Sequence, residues 1–312
     1  MVDVACVGIL VADVVGKPID GLPERGKLQL ADTMELHSGG CAASTGVALS
    51  CIGISTAILG MVGQDGFGDF MVQAMEKHGL DASGIVRSAR ANTSATMVMV
   101  HSDGERSFVH YLGANAEFSL ADVKFDLIES ARLVHVGGSN LMTSLDGEPT
   151  AELLRRARAA GVMTSLDTAW DSRGRWIALI APCFEHLDYF VPSIEEARMI
   201  TGKHRPEEVA AFLIDRGVKT VGLKMGGDGC YIRTRDAELR VPAFKVDAVD
   251  ALGAGDSFAA GFLTGVIQGW DLEKTARFAN AVGAMSVMSL GATTGIRSMA
   301  ETLAFMEKHG SR

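Results

Sequence analysis

Short apolar runs alternate with helical stretches along most of this 312-residue chain, and the alternation limits the fold more than any other feature. Val4–Ile9, Thr56–Met61, Leu133–Val136, Met163–Leu166, Tyr189–Val191 and Thr220–Lys224 are short, apolar and strand-like. Ala42–Cys51, Phe70–His78, Glu152–Ala160, Ser193–Thr201 and Pro206–Arg216 have helical pattern and charge. This β-α-β rhythm predicts an α/β fold, a mostly parallel sheet with helices on both faces. Ligands bind such sheets at the carboxyl ends of the strands. One region breaks the rhythm. Thr93–His101 and Ser107–Leu112 are β-rich runs joined through Asp103-Gly104, a hairpin signal. Asp13–Leu36 reads as irregular, with two prolines. Together they predict a small β lid, segments about 14–37 and 93–113, inserted in one domain spanning 1–312.

Composition excludes several classes. A composition of 47% hydrophobic and 21% charged residues is ordinary for a soluble globular protein. A net charge of −9 and the lack of a long Lys/Arg run argue against general nucleic-acid binding. Met1–Leu10 has no basic leader and reads as a first buried strand. No apolar run reaches the ~18 residues that span a bilayer, so no membrane partner is expected. Five scattered cysteines without a C-x-x-C pair read as reduced thiols of a cytoplasmic protein. The eight histidines form no pair at ligand spacing on one helix, which argues against a transition-metal site.

Three glycine clusters carry the chemistry. In Val249–Phe258 the turn Gly253-Ala254-Gly255 abuts Asp256. Phe258, Phe262, Leu263, Val266 and Ile267 then fall on one helical face, so the turn sits at a helix N-terminus, where free N–H groups suit an anion. A carboxylate there makes sense if the anion meets a group with a proton to give up, as when a hydroxyl attacks a phosphoryl group. The plainer alternative is that Asp256 caps the helix. Ser38-Gly39-Gly40 opens a helix of small residues and either admits a ligand or makes a tight turn. Lys224-Met225-Gly226-Gly227-Asp228-Gly229 either binds or turns a hairpin into Cys230–Arg233. Neither a Walker A loop nor a dinucleotide fingerprint occurs, so the pattern does not support a dehydrogenase.

Taken in order, the clusters resemble the ribokinase-like (PfkB-type) carbohydrate kinases over nearly the whole chain. Gly39-Gly40 is similar to that family's first signature, Val62-Gly63-Gln64-Asp65-Gly66-Phe67-Gly68 to its V-G-x-D-x-F-G segment, and Asp250–Asp256 to its D-T-x-G-A-G-D signature, with Ala251 departing from it. The resemblance implies a three-layer αβα fold with a small β-sheet lid. It implies ATP-dependent phosphorylation of a sugar hydroxyl, with Asp256 as base and the N–H groups of Gly253, Ala254 and Gly255 as anion hole. Asp13, Gly39, Gly40 and Ser44 would bind the sugar, and Ser193, Lys224, Gly226, Gly229 and Asn280 the nucleotide. Glu196 would organise Mg²⁺ through water. Asp250, Leu252 and Gly291 would form a monovalent-cation site, making K⁺ an optional further cofactor. Ser44 and Ser193 stand where the family has asparagines. Simpler roles remain open: a turn residue for Asp13, a turn cap for Asp250, mere exposure for Asn280.

The acceptor stays open among sugar, sugar acid and phosphosugar. Arg106 either reaches an anionic substrate group in a bidentate contact or is a solvated hairpin charge. A nucleoside kinase is the alternative enzyme, disfavoured by 6% aromatic residues. A non-catalytic sugar- or nucleotide-binding protein on a kinase fold is the alternative class. Alternate apolar residues in the flap (Ala95, Met97, Met99; Phe108, His110, Leu112) predict a homodimer through the lid.

Overall fold

In the computed structural model, which describes residues 2–309, the first strand, β1 (Val4–Gly8), is buried at every residue. Residues 1 and 310–312 of the expected 1–312 span lie outside the described residues. Total burial follows from alternation. Val4 and Cys6 pack into one apolar cluster and Ala5 and Val7 into another, on the opposite face of the strand. β4 (Thr56–Gly63) and β8 (Leu133–Ser139), which flank β1, are also buried throughout. A strand covered on both faces loses its polar alternation, so these runs read as continuous apolar segments.

The remaining strands are β2 (Val11–Lys17), β3 (Thr33–Gly39), β5 (Asp81–Ser88), β6 (Ala95–Val100), β7 (Arg106–Tyr111), β9 (Met163–Thr168), β10 (Tyr189–Phe190), β11 (Thr220–Lys224), β12 (Cys230–Thr234) and β13 (Glu238–Val241). Nine of the thirteen described strands form one sheet in the order β13-β12-β11-β10-β9-β8-β1-β4-β5, parallel except for the antiparallel end β11-β12-β13. One cluster joins the sheet to helices 148–159, 194–201 and 206–214, and the other to helices 41–52, 66–77, 254–267, 272–286 and 299–309. The result is the expected three-layer αβα arrangement.

The second sheet has the order β3-β2-β6-β7. The irregular stretch expected over Asp13–Leu36 is confined to residues 18–32, because β2 and β3 pair antiparallel from Val11↔Gly39 to Lys17↔Thr33. β3 alternates strictly, with Met34 and Leu36 on one face and Glu35 and His37 on the other. The hairpin predicted around Asp103-Gly104 is β6-β7, in register from Ala95↔Tyr111 to Val100↔Arg106. Its face assignment needs correction. Phe108 and His110 turn toward the cavity described below, while Met97 lies opposite Val109 on the outer face. Asp65 roots this sheet on the larger one. It caps helix 66–77 through the Gly68 N–H and accepts bonds from both the N–H and the hydroxyl of Thr93.

Candidate active site

Parallel register brings the carboxyl ends of β9, β10 and β11 side by side, which places Asp167, Ser193 and Lys224 at one rim. Lys224 Nζ lies 2.6 Å from Asp167 Oδ2; the Asp167 side chain is buried and that of Lys224 is 12% exposed. Burial raises the Asp167 carboxyl to about 6, with Lys224 pulling it down and Glu196 pushing it up. Burial also works to lower Lys224, but attraction from Asp167, Glu196 and Asp256 outweighs it and the ammonium is held above its ordinary value. Asp167 has no place among the residues singled out from sequence; a single Asp at a strand end carries no local signal.

Glu196 is spent on its helix start. Its Oε2 accepts from the Ser193 N–H at 3.1 Å, the Ser193 hydroxyl at 2.8 Å and the Thr168 hydroxyl at 3.0 Å, a capping box at helix 194–201. The rim thus holds three mutually repelling carboxylates, Asp167, Glu196 and Asp256, against the Lys224 ammonium. Among the described residues no cluster of three side chains is close enough to cage a metal. Surplus negative charge without a cage fits Mg²⁺, which keeps several waters and leans on substrate phosphates.

The glycine turn is built as its residues predict. Gly253 has φ 73° and precedes helix 254–267, and a Cβ there would stand 2.6 Å from the Ala292 carbonyl oxygen. Only glycine meets both demands. The Ala254 N–H makes a long bond of 3.3 Å to the Ala251 carbonyl, whereas among the described residues nothing accepts from the N–H of Gly255. The Lys224 ammonium stands beside Gly255, 3.4 Å from where a Cβ on it would be. Asp256, in the first helical turn, lines a cavity of about 220 Å³. Burial raises its carboxyl to about 7, helped by the charges of Asp167 and Glu196 and opposed by Lys224 and a Cys41 hydrogen bond. Burial beside Asp256 holds the Cys41 thiol well above its usual range, so it is a neutral donor to the carboxylate and not a nucleophile.

Asp13, Gly39, Gly40 and Ser44 line the same cavity, as do Thr96, Phe108, His110 and Leu252. Gly39 makes room for Asp13, because a Cβ on it would fall 1.9 Å from Asp13 Oδ2. Burial raises the Asp13 carboxyl to about 6, against the pull of the Thr96 hydroxyl and His37. Burial lowers His110, which meets Thr96 Oγ1 at 3.0 Å through Nδ1. Asn115, also unsignalled in the sequence, clamps both backbone groups of Leu10 at 3.1 Å ahead of β2.

Other singled-out residues lie elsewhere. Gly226 and Gly229 shape the β11-β12 turn. Asn280 is buried, and its amide donates to the Val241 and Pro242 carbonyls, so mere exposure does not describe it. Arg106 shares a strand face with Phe108 and His110 but is held at the cavity's edge by Asp250, at 2.7 Å, and does not line the cavity. A larger cavity of about 470 Å³ opens at the amino ends of β9, β10 and β11, between Arg158, Asp188 and Lys219. It has neither a helix N-terminus nor a base beside one, and strand amino ends are not where such sheets bind ligands.

Comparison with known proteins places the chain among relatives of known activity and fold. Fructokinase-2 of Oryza sativa subsp. japonica is 30% identical over 299 residues, covering 90% of this chain and 89% of that protein. The 2-dehydro-3-deoxygluconokinase of Bacillus subtilis is 26% identical, covering 91% and 90%. Among solved structures, ribokinase from Thermotoga maritima superposes with TM-score 0.85 at 26% identity, covering 98% of this chain and 100% of that one. Fructokinase with bound ATP from Xylella fastidiosa superposes with TM-score 0.86 at 27% identity, covering 99% of each. A pfkB family carbohydrate kinase profile matches residues 1–299, and the chain belongs to that family.

Proposed function

We propose that this kinase phosphorylates a small neutral sugar, with ATP and Mg²⁺ as cosubstrate and cofactor. The observation that carries the reading is the cavity lining. Among the described residues it offers Asp13, Asp256, Ser44 and Thr96 but no lysine or arginine, and burial disfavours the charged form of His110. Two carboxylates repel an acid or a phosphosugar, whereas vicinal hydroxyls can donate to Asp13. Arg106, which could have met an anionic acceptor from the lid, is engaged by Asp250. The volume of about 220 Å³ is below the roughly 300–1,000 Å³ of drug-sized sites, and among the described residues Phe108 alone of Phe, Tyr and Trp lines it, which disfavours a nucleoside.

Asp256 takes the acceptor's proton as the hydroxyl oxygen bonds to phosphorus and the bond to the departing ADP breaks. The Gly255 N–H, the helix N-terminus and Lys224 face the transferring phosphoryl, where charge stabilisation lowers the barrier. The β11-β12 turn with Gly226 and Gly229, together with Ser193 and Asn280, borders the nucleotide. Segments 14–37 and 93–113 act as the lid of a single kinase domain. Two chains pair through the lid's outer face, where Met34, Met97, Val109 and Tyr111 are at least half exposed. The five free cysteines and the absence of a long apolar helix among the described residues favour a cytoplasmic enzyme.

The test is ADP release from ATP–Mg²⁺ across ketoses, aldoses, sugar acids, phosphosugars and nucleosides. Turnover concentrated on one neutral sugar is expected. Higher kcat/KM on an acid, a phosphosugar or a nucleoside overturns the neutral-acceptor reading.

A further inference from the structure

Asp250 ties three segments together. Its Oδ1 takes the Leu252 N–H at 2.6 Å and the Arg106 guanidinium at 2.7 Å, and its Oδ2 takes the Gly291 N–H at 2.7 Å. The pair is enclosed, with side-chain exposures of 16% for Arg106 and 4% for Asp250. Leu252 runs directly into the anion-hole turn at Gly253, and Gly253 packs against Ala292, the neighbour of Gly291. Arg106 opens β7, so its charge arrives from the lid.

This arrangement does not fit the monovalent-cation site that the resemblance implies at Asp250, Leu252 and Gly291. Both carboxylate oxygens already accept from donors. Leu252 and Gly291 turn N–H groups, not carbonyl oxygens, toward Asp250. The single negative charge is cancelled by a guanidinium, and a second cation at contact distance meets like charge. We infer that Arg106 is a positioning residue that replaces the dissolved cation: the lid supplies the positive charge that orders the anion-hole loop. Order in the loop is then coupled to lid closure, because withdrawing β7 leaves Asp250 buried and uncompensated. This inference rests on the kinase reading of the same site.

Melting temperatures of the wild type and of Arg106→Ala in KCl and in tetramethylammonium chloride at equal ionic strength test it without an acceptor. No K⁺-specific shift is expected in the wild type, and a K⁺-specific rise is expected in Arg106→Ala, where the vacated carboxylate accepts the ion. With the acceptor in hand, wild-type kcat should ignore K⁺, while Arg106→Ala should lose about tenfold without K⁺ and regain it with K⁺. K⁺-specific stabilisation or activation of the wild type overturns the inference, as does a variant with unchanged kcat or one that K⁺ does not rescue. If Arg106→Ala does not fold, the wild-type melting comparison still decides. Failure to phosphorylate any acceptor defeats the functional reading while leaving the melting result to judge the cation claim.

Discussion

Asp256 experiences opposing influences. Burial and two neighbouring carboxylates favour its neutral form, while Lys224 and the Cys41 thiol favour its charge, and the balance lies at about 7. A base works only when deprotonated, so kcat/KM of the free enzyme should fall as pH drops through about 7. A flat profile from pH 8 to 5.5 on a good acceptor contradicts this role. Lys224 answers a different question. Lys224→Met leaves Asp167 buried without its partner, which should cost about 3–5 kcal/mol in urea unfolding as well as slowing catalysis. A variant as stable as the wild type argues that the pair is not held in the folded enzyme.

At the scale of elements, the loop-to-helix turn at Gly253 carries the site. Gly253→Ala meets both the positive φ and the Ala292 carbonyl, whereas Gly227 in the β11-β12 turn has nothing within 4 Å of an added Cβ. Gly253→Ala should therefore abolish most activity and lower stability by more than about 1 kcal/mol. Gly227→Ala should change stability by less than about 0.5 kcal/mol, and equal losses in the two variants sink the argument. The glycine turn and the β6-β7 hairpin were legible in the sequence because their signals are local. Strands β5 and β13 were not. β5 carries exposed Asp81, Ser83 and Arg87 among its apolar residues, and β13 is only four residues long. Asp167 was equally hidden, since its partner Lys224 lies 57 residues away and only sheet register joins them. Arg106, open in the sequence between a substrate contact and a solvated hairpin charge, turns out to be neither for the same reason: closure of one sheet over another gives it Asp250.

Across the whole molecule, the fold layer and the position of the cavity follow from parallel strands whose carboxyl ends share one rim. The lid covers that rim with one face and exposes an apolar outer face, which accounts for the proposed dimer. Val109→Glu places charge on that face and should halve the mass measured by light scattering at micromolar concentration. A wild type that is already a monomer there removes the dimer from the account. The central claim is that Asp256, next to an N–H-lined helix end, is the base for phosphoryl transfer. The most direct measurement is single-turnover phosphorylation of the best acceptor by wild type and Asp256→Asn, with ligand-induced melting shifts recorded for both. The account predicts a loss of about 10²–10⁴ in rate while sugar and ATP still raise the melting temperature of the variant. A variant that binds both ligands and transfers phosphate at the wild-type rate contradicts it.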